Sequence, residues 1–400
     1  MARAPARSPC PLPARAPLAL AVLLAALLVG CGAEETAPPV DQAPGRLPAA
    51  EAAIPSVAGA RAESQAIADA ILGAPDPVRA ARQAGQGLWE GARTYAAASF
   101  DDRPLYWLRL ATQEHLKADC RAHCAALLEA FDRASRGDGD IAFSSGAGTL
   151  RILLTGFDPF SLDRHIDQSN PSGVAALRLD GARWTVGGMA VEIETLLFPV
   201  RFDAFDAGTV EARLSPLLQR GDLALAATIS MGRDHFDLER FPGRRRSSEA
   251  PDNAGVRTGA SAAQPLVPRL GDEPLEGREF LEFSLPVAAL QGGAGPYEIR
   301  DNRRVATLER GTLDAESLKD LAGLTAVRGG GGGYLSNEIS YRSLNLAQAL
   351  GATVPLGHIH TPRLDGFDPA VLEAISTQLE AMLESAAAVL AAEGGLATGG

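Results

Sequence analysis

Basic charge is in short supply in this chain: 37 lysines and arginines stand against 49 aspartates and glutamates, a formal net charge of -12. A protein that tracks phosphates needs a basic face, and no arginine cluster here extends beyond a few residues, so nucleic acid is not an expected partner. Internal repeats at solenoid or propeller spacing are also lacking, which removes repeat architectures. Cysteine is rarer still. Of the four, Cys10 and Cys31 fall near the start, Cys120 and Cys124 stand four residues apart, and none follows Cys124. Four apart on one helix is poor geometry for a disulfide. The pair therefore reads either as two small apolar residues on a helix face or, with His115 and His123, as metal ligands. No cofactor or metal is otherwise expected.

What is present begins with a targeting pattern. Arg3, Arg7 and Arg15 precede an apolar run from Leu18 to Leu28, too short to span a bilayer comfortably, and Leu28-Val29-Gly30-Cys31 follows. Leu-Val-Gly-Cys resembles the bacterial lipoprotein box, so residues 1–31 read as a signal ending in an acylated Cys31. Gly32 is not the aspartate of an inner-membrane retention signal. The expectation is a cell-envelope lipoprotein at the outer membrane, facing the periplasm or the cell surface, held by lipid at Cys31. Residues 32–60, rich in Ala, Pro and Glu, read as a flexible tether.

At 400 residues and 46% hydrophobic composition, two folded parts are expected. Residues 61–136 carry apolar positions three and four apart and read as two or three helices, broken at Pro75, Pro77 and Asp101-Asp102. After the Gly-Asp-rich stretch 137–148 the pattern changes. Over 149–395, strands at Leu150–Thr155, Val191–Val200, Leu223–Ser230, Leu324–Val327 and through Ile359 alternate with helices from Asn170, Phe205, Asn337 and Asp368. That alternation predicts an α/β domain of three layers, α/β/α, around a mostly parallel twisted sheet, with the small all-helical region ahead of it. Such sheets place their sites at the carboxyl ends of strands.

Three segments carry candidate chemistry. Arg328-Gly-Gly-Gly-Gly-Gly-Tyr-Leu-Ser336-Asn337 follows a strand and opens a helix, which puts Ser336 at a helix N-terminus beside amides free to face an oxyanion. Gly357-His358-Ile359-His360-Thr361-Pro362 ends a strand. Alternation puts both imidazoles on one face, and either can be the base. Glu239, in Phe236-Asp-Leu-Glu-Arg240, can orient an imidazole as the third member of a triad.

Together with four further patterns these segments resemble the pyroglutamyl peptidase I family, also called pyrrolidone-carboxylate peptidase, over roughly Leu150 to Ala392. Leu-Leu-Thr-Gly-Phe-Asp-Pro-Phe160 is similar to the family's opening strand and turn, Asn170-Pro-Ser172 to its following motif, and Gly232-Arg233 to the pair that precedes its catalytic glutamate. Pro251-Asp-Asn-x-Gly255 falls at the matching place beyond Glu239. The resemblance implies an omega peptidase that removes an N-terminal pyroglutamate from peptides through Cys, His and Glu. Carried over by position, the nucleophile falls on Ser336, the base on His360 and its orienter on Glu239. Phe157 and Phe160 would flank the lactam, with Asn170, Arg233, Tyr334 and Leu335 around the substrate. The family's cysteine is serine here. The segment from Gly255 to Lys319 is also longer than the family's connection and predicts an extra loop or flap. Two functional readings follow: a serine version of the peptidase, or a catalytically inactive, lipid-anchored module that binds peptide termini or a partner. A structural envelope lipoprotein is the plainest alternative.

Overall fold

The structure, a computed structural model, describes residues 45–146 and 148–397, so the expected signal and the lipid-anchor residue Cys31 lie outside the described residues. The first correction concerns the tether. Its last part is folded: Leu47–Ala53 (α1) and a single 3-10 turn at Pro55–Val57 bury Leu47, Ala50, Ile54 and Val57 against Tyr106, Trp107 and Leu110. Four apolar side chains at helical spacing outweigh the polar composition around them.

Ala60–Leu72 (α2), Pro77–Ser99 (α3), Arg103–Asp119 (α4) and Cys124–Ala134 (α5) complete the helical layer. Asp76 caps α3 by accepting from the Arg79 N–H, with Pro77 at the first helical position. The second correction concerns the cysteines. Helix α4 stops at Cys120, His123 takes a left-handed conformation, and α5 starts afresh at Cys124, so the two sulfurs face each other and form a disulfide. The break provides what a continuous helix denies. It also consumes the thiols proposed as metal ligands, and among the described residues no cluster of three or more His, Cys, Asp or Glu could hold a metal.

The α/β part begins with Thr149–Phe157 (β1), an apolar run buried on both faces as a central parallel strand requires. Pro171–Leu179 (α6), Arg183–Val186 (β2) and Met189–Phe198 (β3) follow. Phe202–Asp206 (α7) and Thr209–Leu218 (α8) are two helices where the periodicity suggests one, because the chain turns at Gly208 with a φ of +83°. Leu223–Met231 (β4) and Phe236–Glu239 (β5) come next, then the small hairpin Arg269–Leu270 (β6) with Glu273–Pro274 (β7), and a single turn Val287–Leu290 (α9). Ile299–Asn302 (β8), Arg304–Thr307 (β9), Gly311–Asp314 (β10) and Ala326–Arg328 (β11) lead to Leu335–Leu350 (α10), Leu356–Thr361 (β12) and Pro369–Ala397 (α11).

Seven strands form the main sheet in the order β2-β3-β1-β4-β12-β5-β8. The central four, β3, β1, β4 and β12, are parallel; β2 joins β3 antiparallel, β5 joins β12 antiparallel, and β8 runs parallel to β5. Helices α6 and α11 pack together on one face, and α8 with α10 on the other. The domain is therefore three-layered α/β/α with a mostly parallel sheet.

The long segment after Gly255 is more than a flap. It supplies β8 to the edge of the main sheet and builds a separate antiparallel sheet, β10-β9-β11. The strand expected at 324–327 belongs to that second sheet. Its residues pair with β9, so it does not continue the parallel array.

Charged side chains fasten the helical layer to the sheet. Asp158, just past β1, is buried and accepts from Arg109 of α4 and from Arg136 Nη1 at 2.6 Å; Arg136 also bonds Asp132 of α5 at 2.9 Å, and Arg213 of α8 reaches Asp132 at 3.2 Å. Losing one member of such a cluster would strand its partners unpaired in the interior.

Candidate active site

The parallel strands β1 and β12 end side by side across β4, and the side chains that the sequence singles out gather there. In β12, His358 and His360 lie on one face with their rings edge to face, 4.9 Å between centroids. Register puts Leu238 opposite Ile359, so Glu239 of β5 sits opposite His358 and diagonal to His360, within reach of a long side chain. Glu239 Oε1 lies 2.6 Å from His360 Nδ1. The carboxylate is wholly buried, and its other oxygen accepts from Asn302 Nδ2, also at 2.6 Å. Burial pushes the Glu239 carboxyl above its usual range, against the opposing pull of the His360 hydrogen bond.

The two histidines, equivalent in the strand pattern, part company in their surroundings. His358 is fully buried, with Nδ1 2.8 Å from Thr228 Oγ1 and Nε2 2.8 Å from Ser230 Oγ. Burial first, and the neighbouring His360 second, hold its pKa well below the normal histidine range. Both its nitrogens are occupied. His360 has one nitrogen on Glu239 and faces a cavity of about 480 Å³. Of the two, His360 is the one able to exchange a proton with a molecule in that space.

Ser336 lines the same cavity. It is the second residue of α10, a 16-residue helix that starts after Tyr334. Its neighbour Asn337 anchors this turn, accepting from the Gly243 N–H at 2.8 Å and donating to the Gly243 carbonyl at 2.6 Å. Glu338, one residue on, is buried between Arg246 and Arg342. The first turn of α10 is thus pinned, and its leading N–H groups have no partner within the helix. Among the described residues no hydrogen bond joins Ser336 to His360.

The glycine run before α10 earns its composition by proximity. A Cβ on Gly330 would stand 2.6 Å from Glu239 Oε2, and one on Gly333 would stand 2.1 Å from Ser247 Oγ. Gly232, at the end of β4, similarly leaves room for the His360 side chain.

A second, smaller cavity of about 20 Å³ adjoins Ser336, lined by Phe157, Phe160, Asn170, Tyr334 and Leu335 among others. That is room for about one water molecule. A lactam ring enters only if rim side chains such as Phe160 and Tyr334, both half-buried, move aside. Phe157 is buried and stacked on Phe205, centroids 6.1 Å apart. Leu335 is buried in the main core. Tyr334 donates to the Pro251 carbonyl at 2.9 Å. Asn170 caps α6, accepting from the Ser172 N–H while donating to the Asp158 carbonyl, so both ends of its amide serve the scaffold. Arg233 lies on the larger cavity, largely exposed.

Sequence reasoning missed Asn302, Arg304 and Arg328. Asn302 ends β8, a four-residue edge strand with no alternating pattern to reveal it. Arg304 and Arg328 belong to the second sheet, whose position over the cavity follows only from the pairing of β9 with β11.

Comparison with known proteins adds the following. A family model described as PA0049, C-terminal domain, matches residues 151–274 and 305–365; the gap between them contains Asn302 and Arg304. The chain is 28% identical over 381 residues to an uncharacterized protein, PA0049, of Pseudomonas aeruginosa, covering 71% of this chain and 69% of that one. Among solved structures it is similar to pyrrolidone carboxyl peptidase from the hyperthermophile Pyrococcus furiosus, at 20% identity and a TM-score of 0.38 over 59% of this chain and 100% of that one. A point mutant of the same peptidase matches at 21% identity with the same TM-score, over 59% of this chain and 99% of that one.

Proposed function

We propose that this chain is a serine hydrolase that removes a small blocked residue, of the pyroglutamyl type, from the N-terminus of peptides. The observation that carries this reading is the buried Glu239–His360 hydrogen bond, opening on the cavity that Ser336 lines. In the reaction, Ser336 Oγ attacks the carbonyl carbon of the blocked residue while His360 Nε2 takes the hydroxyl proton. Glu239 holds the imidazolium by its Nδ1–H. The oxyanion meets the N–H groups at the start of α10. Collapse of the tetrahedral intermediate breaks the C–N bond, His360 returns the proton to the departing amine, and a water activated by the same imidazole cleaves the acyl ester. Serine needs this base more than cysteine would, because its hydroxyl is un-ionised at neutral pH whereas a thiol is partly ionised.

The test is hydrolysis of a chromogenic pyroglutamyl amide together with labelling by a fluorophosphonate. The wild-type chain should turn over and be labelled at Ser336, and Ser336→Ala should do neither. Absence of both in the wild-type chain would sink the proposal. A second reading, a binding module without turnover, is favoured by the missing Ser336–His360 hydrogen bond. It predicts that a titrated pyroglutamyl peptide binds without being cleaved and that activity appears only in Ser336→Cys.

We also place the protein in the cell envelope, anchored by lipid at Cys31. The motif at Cys31 and the Cys120–Cys124 disulfide, which an oxidising compartment preserves, support this placement. Fatty-acid labelling that persists in Cys31→Ala would contradict it.

A further inference from the structure

The larger cavity beside Ser336 has a charge pattern opposite to that of the molecule. In a chain of net charge -12, its lining includes Arg233, Arg304 and Arg328 and not a single aspartate or glutamate. The nearest carboxylate of the catalytic group, Glu239, is buried behind His360 and committed to it.

The three guanidinium groups differ in how far they are committed to carboxylates. Among the described residues no carboxylate pairs with Arg328. Arg304 donates to both oxygens of Asp314, at 3.2 and 3.3 Å, with both side chains 63% exposed, a pair that water screens and a ligand carboxylate can replace. Arg233 reaches Asp237 only at 3.4 Å. Arg304 and Arg328 come from the second sheet, β9 and β11, which lines the larger cavity and contributes no residue to the small apolar pocket. Once Phe160 and Tyr334 move aside to admit an acyl group with its carbonyl at Ser336, the space left for the departing portion of a substrate is the arginine-lined cavity.

We propose that this cavity selects substrates whose departing portion carries a carboxylate, so that the enzyme acts on very short or acidic blocked peptides. The proposal rests on the reading that Ser336 is the nucleophile. A guanidinium presents paired N–H donors that match a carboxylate, and the absence of acidic lining means that nothing in the cavity repels one. The carboxylate has two possible sources, the free C-terminus of a dipeptide or an acidic side chain next to the cleaved bond.

Four probes separate these sources and separate this proposal from the hydrolase reading: pyroglutamyl-alanine as free acid and as amide, and pyroglutamyl-glutamate against pyroglutamyl-glutamine, both amidated. With the full chain, the charged member of at least one pair should be preferred about five- to tenfold in kcat/KM, the size expected for one partly exposed charge-assisted hydrogen bond. Arg328→Gln and Arg304→Gln should each reduce that ratio, and 0.5 M salt should shrink it. Both residues are at the surface, and unchanged thermal unfolding would confirm intact folds. Turnover without preference, or a preference that survives both substitutions together, overturns the proposal and leaves the hydrolase intact. If the wild-type chain does not turn over, calorimetric binding of the same probes decides: tighter binding of the charged member, lost in Arg328→Gln, sustains the cavity's selectivity while the hydrolase reading fails. Equal binding, or none, overturns the selectivity as well.

Discussion

Glu239 has two oxygens and a distinct task for each. Oε1 meets His360, and Oε2 takes the Asn302 amide hydrogen at 2.6 Å, a bond that helps hold the carboxylate ionised against the cost of burial. Replacing Asn302 by Leu removes that donor at similar volume. The Glu239 pKa must then rise further, so the carboxylate is protonated at a higher pH and His360 loses its orienting charge sooner as pH falls. Asn302→Leu should therefore move the acid limb of the pH–rate profile upward and lower kcat by about tenfold, the scale of one hydrogen bond to a charged group. A profile with an unmoved acid limb would mean that Asn302 only supports the fold. Asn302 illustrates where sequence reading stops at this scale. Ser336, His360 and Glu239 stand in short motifs next to strand ends and are legible as candidates, yet which histidine faces the cavity depends on Thr228 and Ser230 bracketing His358, a fact of three-dimensional packing. Asn170, placed around the substrate by its motif, has its amide committed to the scaffold as the cap of α6.

At the scale of elements, the strands and helices with the strongest patterns are the ones the sequence announces. The largely apolar run of β1, the Asn-Pro start of α6 and the Asp368 cap of α11, which accepts from the Ala370 and Val371 N–H groups, all carry local signals. The disulfide carries none, because it depends on a helix break that periodicity does not show, and the apolar spacing of residues 47–57 is short, set in a polar stretch and completed only by Tyr106, Trp107 and Leu110, distant in sequence. The loop before α10 shows how two glycines in one element do different work. Gly330 has an ordinary backbone but no space, its missing Cβ making room for Glu239; Gly332 has open space around it but a φ of +89°. Gly330→Ala should thus act on the reaction, pushing Glu239 away from His360 and cutting kcat at least tenfold. Gly332→Ala should act on stability, by roughly 1–2 kcal/mol for a side chain held in the left-handed region. Chemical denaturation and steady-state kinetics on both variants check this division, and the reverse pattern would refute it.

Across the whole molecule, the helical layer and the α/β domain contain buried and half-buried carboxyls that set how stability responds to pH. Asp102 at the start of α4 is buried against α6, accepting from Ser169 Oγ at 2.6 Å and from the Asn170 N–H at 3.1 Å. Burial pushes its pKa up to about 7, with Asp101 adding to the rise. Burial likewise raises Glu114 and Glu194 to about 7 and Asp180 to about 6. In the unfolded chain such groups release their protons near pH 4. Between about pH 4 and pH 7 the folded protein therefore holds protons that the unfolded chain has given up, and stability must fall as pH rises through that window. Asp132 and His358 work in the opposite sense: although burial raises Asp132, Arg136, Arg213 and Arg109 together hold it well below the usual range, so its contribution is lost only in strong acid, and His358, buried neutral, offsets part of the decline below about pH 6.5. The urea midpoint should consequently be highest near pH 4 and decline toward pH 7. In Asp102→Asn, which has no proton to lose at that site, the decline should be shallower even where the substitution lowers stability at every pH. A midpoint that is flat or rising from pH 4 to pH 7 would show that these carboxyls reach solvent when ionised, and that the junction between the two layers opens more readily than its buried ion pairs imply.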